Sequence, residues 1–361
     1  MMNSFDVVVV GGGPAGCVTA KLLAENNLKV ALINKNEKPS FVCGESLPPQ
    51  ATPVIRRLGL EPLLKNASHI VTTGNLSAFG SEKIVETDFI FSPYGLGWHL
   101  DRKRFNDDLF NLCENINVSI LNAHKVDSLN KNNNDWTISL TNCDRQVSSI
   151  KAQFLVDATG RNSHILKHLS IKTLIHDRLA CRCVIYPNHN PANNNSLIES
   201  AENGWWYSAG IPDYKRVIMY FSDTDCLEYK AMKNIKAFNA NLNVTKHVKN
   251  NIDKGQDNLP IMSFTAQSTQ AEYVSGENWL AVGDAAISYD PLSSQGIWQA
   301  LLGAEMASKH IIDEFNSGES QYNHWITSQS KTYWKLHQQF YAQEQRWNHN
   351  KFWRRRHIKN L

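Results

Sequence analysis

The strongest constraint on the fold lies close to the N-terminus, where Asp6–Val10 (DVVVV) runs without a polar break into the glycines of GGGPAG. A short β-branched run of this kind reads as a strand buried on both faces, as in a parallel sheet. The glycines turn the chain into a helix from Pro14 to about Asn26, and a second apolar run, Lys29 to Ile33, follows. Two parallel strands joined by a helix form a βαβ unit, which commits this part of the chain to an α/β layer. Within it, Gly11 permits a tight turn, Gly13 lets the backbone approach a pyrophosphate, and Gly16 allows close helix-to-strand packing. The helix start at Pro14 and Ala15 adds free N–H groups and a positive dipole end.

An acid that binds a ribose is expected about 20 residues on, at the end of the second strand. Asn34 holds that place, with hydrogen-bonding capacity but no charge, and Glu37 lies too far along to replace it. A second constellation comes much later: AVGDA (Ala281–Ala285), then YDPLSSQGI (Tyr289–Ile297), then a helix signal from Gly296 to about Phe315. Asp284 at a strand end supplies a carboxylate for sugar-like hydroxyls, and the following helix N-terminus offers a dipole to a ring that becomes anionic.

Other helix and strand signals place these motifs. Asp101 caps a helix reaching Ile116, with Phe105, Leu109 and Leu112 on one face. Strand patterns follow at Val118–Leu121, Trp136–Leu140, Val147–Ile150 and Phe154–Asp157, with Asn130–Asp135 as a hairpin loop. From Cys181 onward, aromatic strands between asparagine-rich loops suit an antiparallel sheet. The region from Tyr322 to about Arg356 reads as helical.

Composition narrows the classes. At 361 residues, 42% hydrophobic and 20% charged, the chain has the make-up of an ordinary globular protein with two or three domains. Its net charge of +3 turns to −3 without the basic residues Arg346, Lys351, Arg354, Arg355, Arg356 and Lys359, so the basic character belongs to the C-terminal tail. Nucleic-acid binding is not expected. The seven cysteines are scattered, without CxxC, which fits a reducing cytoplasm. No apolar run approaches the roughly 18 to 20 residues of a membrane span, and neither a signal peptide nor a metal site is expected.

GGGPAG, VDATGR (Val156–Arg161) and VGDAA with DPLSSQGI resemble, in order and spacing, the flavin-dependent monooxygenase and halogenase superfamily with the p-hydroxybenzoate hydroxylase fold. The resemblance implies FAD as cofactor and an FAD-binding Rossmann-like α/β domain with a parallel sheet (1–75, 98–170 and 275–320). It also implies an inserted antiparallel-sheet substrate domain (76–97 and 171–274) and a C-terminal helical extension (321–361). The implied cofactor residues are Gly11, Gly13, Pro14, Ala15, Gly16, Asn34, Arg102, Asp157, Gly160, Asp284, Pro291, Ser294, Gln295, Gly296 and Ile297. With no second GxGxxG, NAD(P)H is expected as a transient visitor or is replaced by another electron donor.

Three further stretches, CGESLPP (Cys43–Pro49), GWWYSAGIP (Gly204–Pro212) and EQRWNHNKFWRRR (Glu344–Arg356), resemble the maturation flavoproteins of tryptophylquinone-containing lysine and glycine oxidases. The implied activity is oxygenation of a tryptophan in a partner protein, the oxidase precursor. Halogenases are the main rival within the superfamily. Their two tryptophans ahead of IP are separated by one residue, whereas Trp205 and Trp206 are adjacent, and Gln295 stands where halogenases carry a small hydroxyl residue. Their active-site lysine has no clear counterpart, Lys83 lacking supporting neighbours. A small-molecule hydroxylase and a redox-silent FAD-binding chaperone remain as alternatives.

Asp290, Glu45 and Ser46 are the nearest polar groups for moving protons, although turn stabilisation would equally explain the Glu45–Ser46 pair. Cys181 and Cys183 share a strand face and read as buried thiols, while adjacent Trp205 and Trp206 point to opposite faces. His99 reads as a satisfied core histidine. Trp347, Phe352 and Trp353 among arginines suggest a surface that docks a protein partner.

Overall fold

The computed structural model describes residues 3–35, 41–65, 68–132, 134–188, 193–252, 258–315 and 321–357. Its first layer is the parallel sheet that the N-terminal motif demands. β1 (Asn3–Val10) pairs in parallel with β2 (Val30–Asn34) on one side and with Val147–Asp157 on the other. Ser119–Asn122 extends the sheet beyond β2, and Trp279–Ala281 extends it beyond Val147–Asp157. Val7, Val8 and Val9 are completely buried, because helices cover this sheet. The connecting helix α1 (Pro14–Glu25) packs between Arg102–Glu114 and Gly296–Phe315.

The second layer is a 7-stranded sheet built around Leu179–Pro187, Gly204–Ile211 and Lys215–Asp223. These strands are antiparallel, so the sheet is a separate unit with its own apolar core containing Trp205, Trp206, Tyr220, Phe221 and Phe238. A small sheet of Thr173–Asp177, Ser268–Ala271 and Ile287–Ser288 bridges the two layers.

Three local expectations change. Val147–Ile150 and Phe154–Asp157 are one strand, Val147–Asp157. Its first half pairs with the antiparallel neighbour Asp135–Asn142, and its second half lies buried between β1 and Trp279–Ala281. The change of neighbours explains why its pattern looked like two strands. The hairpin before it is also tighter than expected, since its strands reach Asn132 and resume at Asp135.

The C-terminal region is two helices, Tyr322–Tyr341 and Lys351–His357, not one. The break is organised by Glu344, which is fully buried and accepts from Gly80 N at 3.1 Å, Ser200 Oγ at 2.6 Å and Arg346 Nε at 2.9 Å.

The basic aromatic tail is the largest correction. Phe352 and Trp353 are fully buried in the core of the antiparallel sheet and are not available to dock a partner. Arg356 is buried as well, donating to Asp177 at 2.7 Å and Asp223 at 2.8 Å, with its guanidinium 3.8 Å from the Phe352 ring centroid. Arg355 pairs with Asp223 and Asp225 nearer the surface. The tail therefore neutralises acids of its own chain and seals the second layer.

Replacing a buried partner strands an uncompensated charge, whereas an exposed pair contributes little. Arg356→Ala is expected to lower unfolding stability by about 3 to 5 kcal/mol, and Arg355→Ala by less than about 1 kcal/mol. Urea unfolding followed by circular dichroism checks the contrast, and equal losses would contradict this reading of the tail.

Candidate active site

The glycine turn is a matter of backbone clearance. Gly11 adopts φ +119°, and a Cβ there would lie 2.2 Å from the Ala158 carbonyl oxygen. A Cβ on Gly16 would lie 1.9 Å from the Gly11 carbonyl oxygen. These contacts press the start of α1 onto the ends of β1 and Val147–Asp157. Gly13 differs: its backbone is ordinary (φ −81°, ψ −179°), and a Cβ there would meet nothing within 4 Å. It faces open space, with no side chain capping the helix N-terminus beside it.

That space is a cavity of about 570 Å³ between the two sheet layers. The cofactor candidates Gly13, Pro14, Ala15, Arg102, Gly160, Asp284, Pro291, Ser294, Gln295, Gly296 and Ile297 all line it. Gly11 and Gly16 shape its edge from behind. Asp101 caps the helix that carries Arg102, accepting from Arg104 N at 2.9 Å. Arg102 donates to the carbonyls of Cys43 at 3.3 Å and Gly44 at 2.5 Å, and its buried Nε has no partner among the described residues. Asp284 pairs with Arg161 Nε at 3.2 Å. Arg161 also donates to Tyr289 O at 3.1 Å and to Gln267 O, tying together three stretches around the cavity. Arg161 was within reach of the sequence reading, because it ends the motif VDATGR.

Two candidates lie off the cavity wall. Asn34 stands against the Gly12 turn, where a Cβ would come 2.9 Å from its Cγ, and it donates to Asn122 Oδ1 at 3.3 Å. Asp157 is fully buried and accepts from Thr159 N and Leu166 N, both at 2.9 Å. Its job is to hold the turn behind the cofactor end. Glu37 lies outside the described residues.

Asp290 is held by hydrogen bonds on both oxygens. Although it borders the cavity, Oδ1 accepts from Leu292 N at 2.8 Å, and Oδ2 accepts from Tyr341 Oη at 2.8 Å and His337 Nε2 at 3.3 Å. Burial alone would raise its carboxyl, but the His337 contact and these hydrogen bonds hold it below the usual carboxylate range. With both oxygens hydrogen-bonded, Asp290 fastens the DPLSS turn. His337, Asp177 and Asp290 form a tight buried group, and Arg356 answers its negative charge.

Part of the cavity lining is aromatic and sulfur-bearing. Phe41, Trp205, Phe221 and Phe264 line it, with Trp205 stacked on Phe221 at a centroid distance of 4.0 Å. Trp206 points the other way, onto Tyr220 and Phe238, as strand alternation requires. Cys43 Sγ lies 3.6 Å from Met219 Sδ, and burial together with the nearby Glu45 pushes the Cys43 thiol up to about 12, so it stays protonated. Cys181 and Cys183 are buried and unbridged, and burial raises both thiols. His99 is a core histidine: its Nδ1 lies 2.9 Å from Gly210 O, and burial lowers it to about 4.

Glu45 and Ser46 meet a residue that sequence reading missed. The Tyr207 hydroxyl lies 2.8 Å from Ser46 Oγ and near enough to the Glu45 carboxyl to act on it electrostatically. Tyr207 stood in the quoted GWWYSAGIP, but only the fold brings it to Glu45. Burial raises the Glu45 carboxyl above its usual value, against the lowering effect of Tyr207. Lys83 is exposed, and no lysine among the described residues lines the cavity.

The chain belongs to the FAD binding domain family, whose model matches residues 4–312. It is similar over 99% of its length to LodB of Marinomonas mediterranea, an FAD-dependent oxidoreductase by name, at 26% identity and 98% coverage of that protein. The myxobacterial chondrochloren halogenase CndH shares the fold with a TM-score of 0.87 at 21% identity, covering 99% of this chain and 87% of that one. So does QhpG, a peptidyl tryptophan dihydroxylase essential for tryptophylquinone biogenesis, with a TM-score of 0.78 at 24% identity, covering 98% and 78%. The protein is thus an FAD-dependent oxidoreductase of the halogenase and monooxygenase fold. Among the described residues, no helix is long and apolar enough to cross a membrane.

The cavity suits this cofactor: the Gly13 surface would be filled by any side chain, the α1 N-terminus would offer N–H donors to a pyrophosphate, and Arg102 would stand beside the cofactor. Gly13→Trp is expected to keep the thermal unfolding of the flavin-free protein while abolishing FAD retention, read as loss of flavin absorbance after purification. Gly16→Val should instead lower the unfolding temperature itself, because its Cβ collides with backbone. Equal behaviour of the two variants would contradict these roles.

Proposed function

We propose that this protein is an FAD-dependent monooxygenase that oxygenates a tryptophan side chain of a partner protein, the precursor of a tryptophylquinone-containing oxidase. The observation that carries the reading is the cavity's composition: the residues of the cofactor cradle, aromatic walls and a buried carboxyl line one space. Likeness to QhpG along nearly the whole chain supports the same substrate class.

Bound FAD would supply the redox and oxygen-activating chemistry. The chain's own residues do the rest. The α1 N-terminus, with Gly11, Gly13 and Gly16 shaping its approach, would hold the pyrophosphate, and Asp284 would orient the ribityl hydroxyls. The N-terminal residues of the Gly296–Phe315 helix, which line the cavity, would help to hold the ring and favour negative charge on it. The aromatic walls exclude water and accept a flat ring, while the Glu45, Tyr207 and Ser46 group is placed to hold or pass a proton. An external donor such as NAD(P)H would reach the flavin transiently.

Halogenation of a small aromatic molecule is the second reading, favoured by likeness to CndH and opposed by the cavity's lack of a lysine among the described residues. Co-expression of a tryptophylquinone-oxidase precursor with the wild-type chain and with Gly13→Trp separates the possibilities by tryptic mass mapping. Oxygen mass added to one tryptophan only with the wild-type chain is expected. Modification that persists with Gly13→Trp would favour the redox-silent chaperone, and identical unmodified maps would overturn the reading for that partner.

A further inference from the structure

Asp177, Asp290 and His337 come together from three parts of the fold: the end of the Thr173–Asp177 strand, the turn before Pro291 and the Tyr322–Tyr341 helix. They are 7%, 1% and 7% exposed, so the group is sealed from solvent, and one ligand-type atom of each lies within 4.8 Å of the other two. Acids gathered inside a protein have to be met by positive charge. Arg356 meets part of it, but its guanidinium is shared between Asp177 and Asp223. Asp290 has no lysine or arginine partner among the described residues; its ion pair is with His337.

Two observations point beyond a hydrogen-bonded triad. The first is Asp177 Oδ2, which is buried and has no hydrogen-bond partner among the described residues, although it lies 3.8 Å from His337 Nε2. The second is the spacing, since Nε2 is also 3.3 Å from Asp290 Oδ2. A charge-assisted hydrogen bond closes to about 2.7 to 2.9 Å, and both separations exceed that. A divalent ion bound at about 2.0 to 2.2 Å instead keeps its ligand atoms roughly 3 to 4 Å apart.

The surroundings match those of a metal centre. Arg356 holds the other oxygen of Asp177 at 2.7 Å, Leu292 N holds Asp290 Oδ1 at 2.8 Å, and Tyr341 Oη donates to Asp290 Oδ2 at 2.8 Å. Outer hydrogen bonds of this kind fix the direction in which ligand oxygens point. No ligand spacing in the sequence announces the centre, because its three members lie far apart in the chain.

We propose that Asp177, Asp290 and His337 bind one divalent transition-metal ion of the zinc class, through one oxygen of each carboxylate and His337 Nε2. Two carboxylates and an imidazole suit zinc or manganese, and water completes the coordination. Binding releases the proton that Nε2 otherwise shares with Asp290. The ion acts as a structural clamp, tying the DPLSS turn beside the cofactor cavity to the Tyr322–Tyr341 helix and the bridging sheet, whichever substrate the cavity takes.

The FAD-loaded full chain is dialysed against EDTA and then against Zn2+ or Mn2+, bound metal is counted by inductively coupled plasma mass spectrometry, and thermal unfolding is followed. One ion per chain and a raised unfolding temperature are expected. Asp177→Asn keeps the side-chain outline but removes a charged ligand; it and His337→Leu should each weaken binding by about a hundredfold or more. Flavin content and metal-free unfolding show that each variant is folded, and Asp177→Asn decides the matter if His337→Leu is not. Cys226→Ser controls for the partly exposed group of Asp223, Asp225 and Cys226 and should bind as the wild type does. Failure of the wild-type chain to bind either ion, unchanged affinity in Asp177→Asn, or loss of binding in Cys226→Ser would overturn the proposal.

Discussion

The fold depends on how closely two pieces of backbone approach each other at the start of the chain. The carbonyl oxygens of Ala158 and Gly11 occupy the positions where side chains at Gly11 and Gly16 would begin. Only because those side chains are missing can α1 start directly over the ends of the parallel strands. That placement aims its unsatisfied N–H groups into the cavity, and Asp157 locks the neighbouring turn from behind. The cofactor end is thus set by sterics before any electrostatic attraction operates.

The second layer is governed by buried charge. Arg356 has almost no contact with water and answers both Asp177 and Asp223, while Glu344 gathers Gly80, Ser200 and Arg346 at the break between the C-terminal helices. These groups bring little net stability by themselves, since desolvation opposes their attraction. What they bring is location: a helix carrying them has few other places where its charges are met. The final helix is held by this matching, together with the burial of Phe352 and Trp353.

Features encoded over a few residues were legible in the sequence. The glycine turn, the Asp101 cap, the helix from Gly296 to Phe315 and the opposed faces of Trp205 and Trp206 follow from local sterics and periodicity. The docking role given to the tail failed because the acids that neutralise it lie well over a hundred residues earlier. The partners of Asp290 were illegible for the same reason, as Tyr341 and His337 arrive from a distant helix. Tyr207 went unnoticed at the site because its strand meets the Glu45–Ser46 loop only after the two layers have assembled. Asn34 was placed correctly at its strand end, but its side chain is turned toward a neighbouring strand.

One hydroxyl joins two residues that line the cavity. Tyr341 accepts from the Trp205 indole in the antiparallel sheet and donates to Asp290 beside the cofactor cradle. The spacing of these two lining residues is thereby tied to a third element, a helix that belongs to neither sheet. A change that moves Trp205 alone works against a fixed stop. Accommodating a bulkier or slimmer ring would require the helix to shift along its axis, so the cavity's clearance is a property of the helix's register as much as of the residues that face the ligand.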